Sequence, residues 1–337
     1  MEQVGVRQQE VLRRVVARNP HPTTESLILQ ATPAGRGLTE ADLAGIPGDE
    51  LPAKELLRVA TSAIADKLVS KGIPPDLEPP KGSQRKRGYV LAGDPLAANS
   101  IRAELIGRGR RPGGKGSRAW VLAGPLDELL AHAWTAACFD SGPQPWPQWL
   151  ATWAHRGKPP TRADLVTIAR KHRDAGRKPT IVTDPGLLPA ALGVTGPLPA
   201  PLELSAPVAE VARRVAIVLG GLVSVDERRS LLRTQLMPRV VGARGPRLAV
   251  PESQGEYAVA QADAMRQQLS DDGYPVIGQL ADLAPGPTGD ASALAEELVL
   301  DAAVSMLASR LPVVPYEPPA ARAAEPGLRH TRKGRSE

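Results

Sequence analysis

The chain has 337 residues, of which 42% are apolar, enough for two domains with cores of their own and too many for a disordered chain. Only ten residues are aromatic, so the cores must be built from Leu, Val, Ile and Ala, which favours helices over β-sandwiches. The net charge is +6, and the single cysteine, Cys138, excludes a disulfide framework and a cysteine zinc site.

In chain order, residues 6–18 place Val11, Leu12, Val15 and Val16 on one helical face, and Asn19-Pro20 stops the helix. Arg7, Arg13 and Arg14 interrupt this region, so no signal peptide is expected. Thr23 or Thr24 can cap a short helix through Leu27 and Leu29. Thr39, with Asp42 three residues on and Leu38 against Leu43, reads as the start of another. A longer helix is predicted over 53–69, with Leu57, Ala60, Ile64 and Leu68 as its buried stripe and Pro74-Pro75 beyond its end.

The next segment concentrates the charge. Between Lys81 and Arg118 ten basic residues face only Asp94 and Glu104, a local excess of eight positive charges, whereas the rest of the chain is slightly acidic. Charge focused in this way marks a polyanion partner. Within it, a basic loop runs into a short strand at Tyr89-Val90-Leu91. A second basic loop runs into Trp120-Val121-Leu122, with a helix expected over 98–106 between them. A second hairpin strand or second wing accounts for the repeat. Gly109 to Ser117 nearly spells a phosphate-binding loop. However, Gly116 stands where the hydroxyl is needed, a helix precedes it and a strand follows, so nucleotide binding is not expected.

From residue 126 the character changes. Helices are expected over 126–139, 162–173, 208–222, 225–236, 256–270 and 291–311, with short strands at 180–183 and 275–278 and a proline-rich linker at 197–207. Four of the five tryptophans fall between 134 and 153 and read as core. Cys138 reads as a buried small hydrophobe. The five histidines have no metal-ligand spacing and no obvious carboxylate partner, so neither a catalytic nor a metal role is expected. The longest apolar stretch, 215–223, is about half of a membrane span.

A capped helix, a turn, a longer amphipathic helix and a basic β element follow the order of a winged helix-turn-helix. Residues 54–69 (KELLRVATSAIADKLV), with Lys67-Leu68 and then Lys86-Arg87-Gly88-Tyr89-Val90-Leu91, resemble the recognition helix and wing of the OmpR/PhoB-type DNA-binding domain over roughly residues 24–93. That family's recognition helix ends Arg-rich, whereas residues 62–66 here carry few base-reading groups. With the stripe buried, Lys54, Arg58, Thr61, Ser62 and Ala65 face outward. Arg58 is the candidate base contact, Thr61 and Ser62 touch base or phosphate, and Lys54 meets the backbone. Arg85, Lys86, Arg87, Tyr89, Arg110, Arg111, Lys115 and Arg118 complete the expected DNA surface.

The expectation is therefore a mainly α protein with small β elements. It has a winged-helix region over 1–125, a helical (α+β) C-terminal domain over 126–314 for effector, partner or dimer contacts, and a disordered basic tail over 315–337. It would be a cytoplasmic transcription regulator of double-stranded DNA, with a second copy of itself as a further partner, no membrane and no cofactor. Two other readings compete. Residues 144–185 and 215–285, with Pro145-Trp146-Pro147-Gln148-Trp149 and Gly273-Tyr274-Pro275, are distantly similar to actinobacterial sulfotransferase-like proteins, which implies a transferase scaffold without its donor loop. A winged-helix protein–protein adaptor is the other.

Overall fold

The computed structural model describes residues 6–18, 51–73, 88–110, 112–113, 117–241, 243, 245–290 and 292–308. The short helices expected near 24–29 and 39–45, the basic run 81–87 and the tail 315–337 lie outside them.

Two N-terminal helices come first. Helix α1 (Val6–Arg18) buries Val11 and Val15, and its buried Glu10 binds both Arg13 and Arg14. Those guanidinium hydrogen bonds hold the Glu10 carboxyl below the usual carboxylate range, Arg13 contributing most. Helix α2 (Ala53–Lys71) follows the expected stripe but buries a wider arc: Leu56, Leu57, Ala60, Thr61, Ile64, Ala65 and Leu68. It packs on α1 and on two helices from the far end of the chain, α8 (Ala206–Leu219) and α12 (Glu296–Ala308).

The β elements form one sheet of four parallel strands in the order β1 (Tyr89–Gly93), β2 (Arg118–Leu122), β3 (Pro179–Val182) and β4 (Val276–Ile277). The hairpin expected between the first two is therefore not formed. Tyr89 lies beside Arg118 and Gly93 beside Leu122 in parallel register, and the chain between them crosses over through α3 (Pro95–Gly107). Parallel neighbours need such a crossover, and a 13-residue helix supplies it. Asp94 starts that helix: its Oδ1 accepts from the amides of Leu96 and Ala97, with Pro95 at the first helical position.

Strand side chains alternate between two layers. Tyr89, Leu91, Trp120, Leu122 and Val182 pack with Ile101 and Leu105 of α3 and with Leu188 and Leu192 of α7 (Leu188–Leu192). Val121 and Ile181 point into the main core. That core holds α4 (Leu126–Cys138), α5 (Trp146–His155), α6 (Leu165–Asp174), α8, α11 (Gly255–Asp271) and α12. Val11 and Leu57 share it with Trp134 and Leu300, so among the described residues both sides of residue 125 build one core. Trp134 and Trp146 sit at its centre, edge to face at 5.8 Å, with each indole N–H donating to a backbone carbonyl 2.9 Å away. Helix α8 is buried nearly all round, and within it the buried Glu210 accepts from both Arg213 and Arg214.

Helix α9 (Val225–Leu231) starts with the expected capping box of Ser224 and Glu227. It runs into a π-helical turn, Leu232–Leu236, before α10 (Met237–Val240). The protein is thus mostly helical with a small parallel sheet. No helix among the described residues is long and apolar enough to cross a membrane.

Candidate functional site

Strands β1 and β2 each follow a basic stretch of sequence. Because β1 and β2 are parallel neighbours, the chain enters both from the same end. Residues 112–113 also meet β1: Pro112 makes a separate parallel bridge to Tyr89, and the Gly113 amide donates to the Tyr89 carbonyl at 2.7 Å. Gly88 is pressed against this segment. A Cβ on it would stand 1.7 Å from the Gly113 carbonyl oxygen and 3.6 Å from the Cβ of Ser117. The run Arg85-Lys86-Arg87 directly precedes Gly88 in sequence, and Lys115 lies two residues before Ser117.

The fate of each expected DNA contact differs. Arg85, Lys86, Arg87, Arg111 and Lys115 lie outside the described residues. Arg118 is exposed at the start of β2, its guanidinium 5.6 Å from the centre of the Trp120 ring. Arg110 is half-buried and donates to the Leu192 carbonyl at 2.8 Å. Its neighbours are likewise engaged. Arg108 binds Glu104 and the carbonyls of Thr195 and Pro197, and Arg102 reaches Asn99 and the Leu91 carbonyl. These three arginines fasten α3 to surrounding backbone, which is part of why the sequence carries them.

Tyr89 must be corrected. It is 1% exposed and belongs to the core between α3 and the sheet, so it cannot meet DNA. Burial pushes its phenol above the usual range. Thr61 must be corrected too. It is buried in α2 with its hydroxyl donating to the Leu57 carbonyl at 2.9 Å, and Ala65 is also inside. Ser62 is half-buried, whereas Lys54 and Arg58 are exposed as expected. Arg58 pairs with Glu55 at 3.5 Å, and Glu55 is also held by Arg7 at 3.1 Å, so part of its charge is already answered. Helix α2 makes its principal contacts with α1, α8 and α12, away from the strands.

The carboxyl edge of the sheet holds what sequence reasoning missed. Asp94 follows β1 directly and is buried. Its Oδ2 stands 2.7 Å from Nδ1 of His132, in the middle of α4. The expectation that no histidine has a carboxylate partner is therefore wrong for this one, because 38 residues of sequence separate the two. Where Nδ1 donates to Asp94, Nε2 is the acceptor nitrogen, and it has no partner among the described residues. At the same edge, the Thr183 hydroxyl donates to Asp282 at 2.9 Å and accepts the Gln279 amide at 2.8 Å. The approach there is so close that a Cβ on Gly278 (φ 97°) would stand 2.2 Å from the Thr183 Oγ1.

No cluster of His, Cys, Asp and Glu fit to hold a metal occurs among the described residues. Cys138 is buried as expected, and burial drives its thiol well above its usual range. Comparison with known protein families, with curated proteins and with solved structures finds no match to this chain.

Proposed function

We propose that the protein binds nucleic acid, with double-stranded DNA as partner, through the amino edge of its parallel sheet, and that it acts as a cytoplasmic transcription regulator. One observation carries the reading: the parallel register of β1 and β2 sets Gly88 beside Gly113 and Ser117. The two stretches of sequence that hold most of the local positive charge lead into these neighbouring points. Cations gathered at one edge neutralise successive phosphates and release their counterions, which supplies affinity without base reading.

The proposal adds the 54–69 helix as a second contact, in the role of a recognition helix. The exposed Lys54 and Arg58 support phosphate contacts there, with Ser62 beside them. Helices from 126 onward are then the part that answers an effector or a second copy. Titration of a fluorescent duplex into the full-length chain at low salt tests the proposal. A Kd in the range of about 1–100 μM or tighter is expected, weakened by joint Lys115→Ala and Arg118→Ala substitution. Absence of binding at low salt removes it.

A second reading, a small-ligand enzyme of the transferase kind, is favoured by Asp94–His132 at the carboxyl edge. Parallel α/β sheets take ligands there, and a carboxylate-oriented imidazole is suited to accept a proton. A panel of small polar metabolites that leaves the His132 ring resonances unmoved would count against it.

A further inference from the structure

Asp140, just beyond the end of α4, is buried, with a side chain only 5% exposed. Three guanidiniums converge on it. Arg162 binds its Oδ2. Arg233 binds its Oδ1 through Nε at 2.7 Å and Nη2 at 2.6 Å, and Arg229 stands 3.9 Å away. A single guanidinium in two-point contact neutralises a buried carboxylate. Three are more than Asp140 requires, and their mutual repulsion rises as they converge. Among the described residues the only other carboxylate paired with any of them is Asp226, which binds Arg229 at 3.1 Å from a side chain 93% exposed.

The geometry keeps donors free for a second anion. Each of the three arginines remains between 42% and 46% exposed. Among the described residues, Nε and Nη1 of Arg162 and Nη1 of Arg233 have no acceptor. The backbone is specialised at the same place. Arg233 lies in the π-helical turn, where the Met237 amide reaches back five residues to the Leu232 carbonyl and Pro238 can donate no bond. Such single π turns inside α-helices cluster at functional sites. Here the turn follows one helical turn after Arg229, and both arginines face Asp140.

We propose that Arg162, Arg229 and Arg233 form an oxyanion site for a phosphoryl group, with buried Asp140 as the template that orients their donors. Planar guanidiniums match the oxygens of a tetrahedral dianion in a way that Lys would not. The site is independent of the nucleic-acid proposal, because none of its residues belongs to the 81–118 segment.

The test is titration of the full-length chain with inorganic phosphate, ionic strength being held constant with chloride, while the arginine Nε–H resonances and the thermal midpoint are followed. Saturable movement of the Arg162, Arg229 and Arg233 signals is expected, with a phosphate-dependent rise in midpoint. Arg229→Gln leaves Asp140 its two close partners and should weaken phosphate binding about tenfold. Resonances that respond to phosphate no more than to chloride overturn the site, as does unchanged affinity in Arg229→Gln. Should that variant fail to fold, the wild-type resonances decide alone. Displacement of phosphate by a DNA duplex would identify the natural source as a nucleic-acid backbone. Retention would identify a small phosphorylated molecule.

Discussion

Asp94 and His132 are joined across the carboxyl edge of the sheet, Oδ2 to Nδ1 at 2.7 Å, while the other oxygen of the same carboxylate caps α3. One side chain thus ties the β1–α3 turn to α4. Removing it as Asp94→Ala should cost about 1–2 kcal/mol from the lost cap alone, and should release the His132 ring to exchange tautomers. Asp94→Asn keeps an acceptor for the cap and should cost less than half as much. Denaturant unfolding and the imidazole nitrogen shifts report the two effects separately. Equal losses in the two variants would show that the cap contributes little.

Glycines at 88 and 93 hold the parallel pair together. Gly93 has φ 87° and would place a Cβ 2.0 Å from the Leu122 carbonyl oxygen, and Gly88 meets the Gly113 carbonyl in the same way. Gly93→Ala combines a left-handed backbone with a backbone clash and is expected to cost about 3 kcal/mol or more. Gly88→Ala should push residues 112–113 away from Tyr89 and lower the midpoint as well. If both variants unfold like the parent, β1 and β2 are not paired in this register.

His172, on α6, gives a pH signature. Its imidazole is held below its ordinary range, first by burial and then by the charges of Arg177 and Lys171, and its Nδ1 has no partner among the described residues. The unfolded chain therefore takes up the proton first, so stability should fall as pH drops through about 6.5 and level off once the folded protein protonates too. In His172→Gln the unfolding free energy should vary less between pH 7.5 and 5 than in the parent. A parallel pair of curves would rule this out.

Much of the fold was legible in the sequence. Helical periodicity located α1, α2, α4, α6, α8 and α11 to within a few residues, because a stripe such as Leu57, Ala60, Ile64 and Leu68 has few other ways to be buried. Strand pairing was not. Tyr89-Val90-Leu91 and Trp120-Val121-Leu122 were visible as strands, yet the repeat suggested a hairpin. The helix over 98–106 between them was the stronger signal, because antiparallel neighbours need only a tight turn. Continuous apolar runs such as Trp120-Val121-Leu122 also mark strands covered on both faces.

The candidate site followed the same division. Arg118, Lys54 and Arg58 were expected outside and are outside. Tyr89 and Thr61 were expected outside and are inside, since the aromatic of a buried parallel strand fills the layer beneath α3, and α2 is covered over a wider arc than one stripe. Asp94–His132 and the arginines around Asp140 join residues far apart in sequence, and no local spacing announces them.

Phosphate contact by the basic stretches of sequence that lead into β1 and β2 is the basis of the proposed function. It is tested most directly by the salt dependence of duplex binding, measured by fluorescence anisotropy on the full-length chain and on Arg85→Ala/Lys86→Ala/Arg87→Ala. Affinity is expected to fall linearly with log salt, with a slope near −0.9 per neutralised phosphate, and the triple variant is expected to flatten this slope by up to about 3. A slope identical in parent and variant, or no duplex bound at low salt, would contradict it.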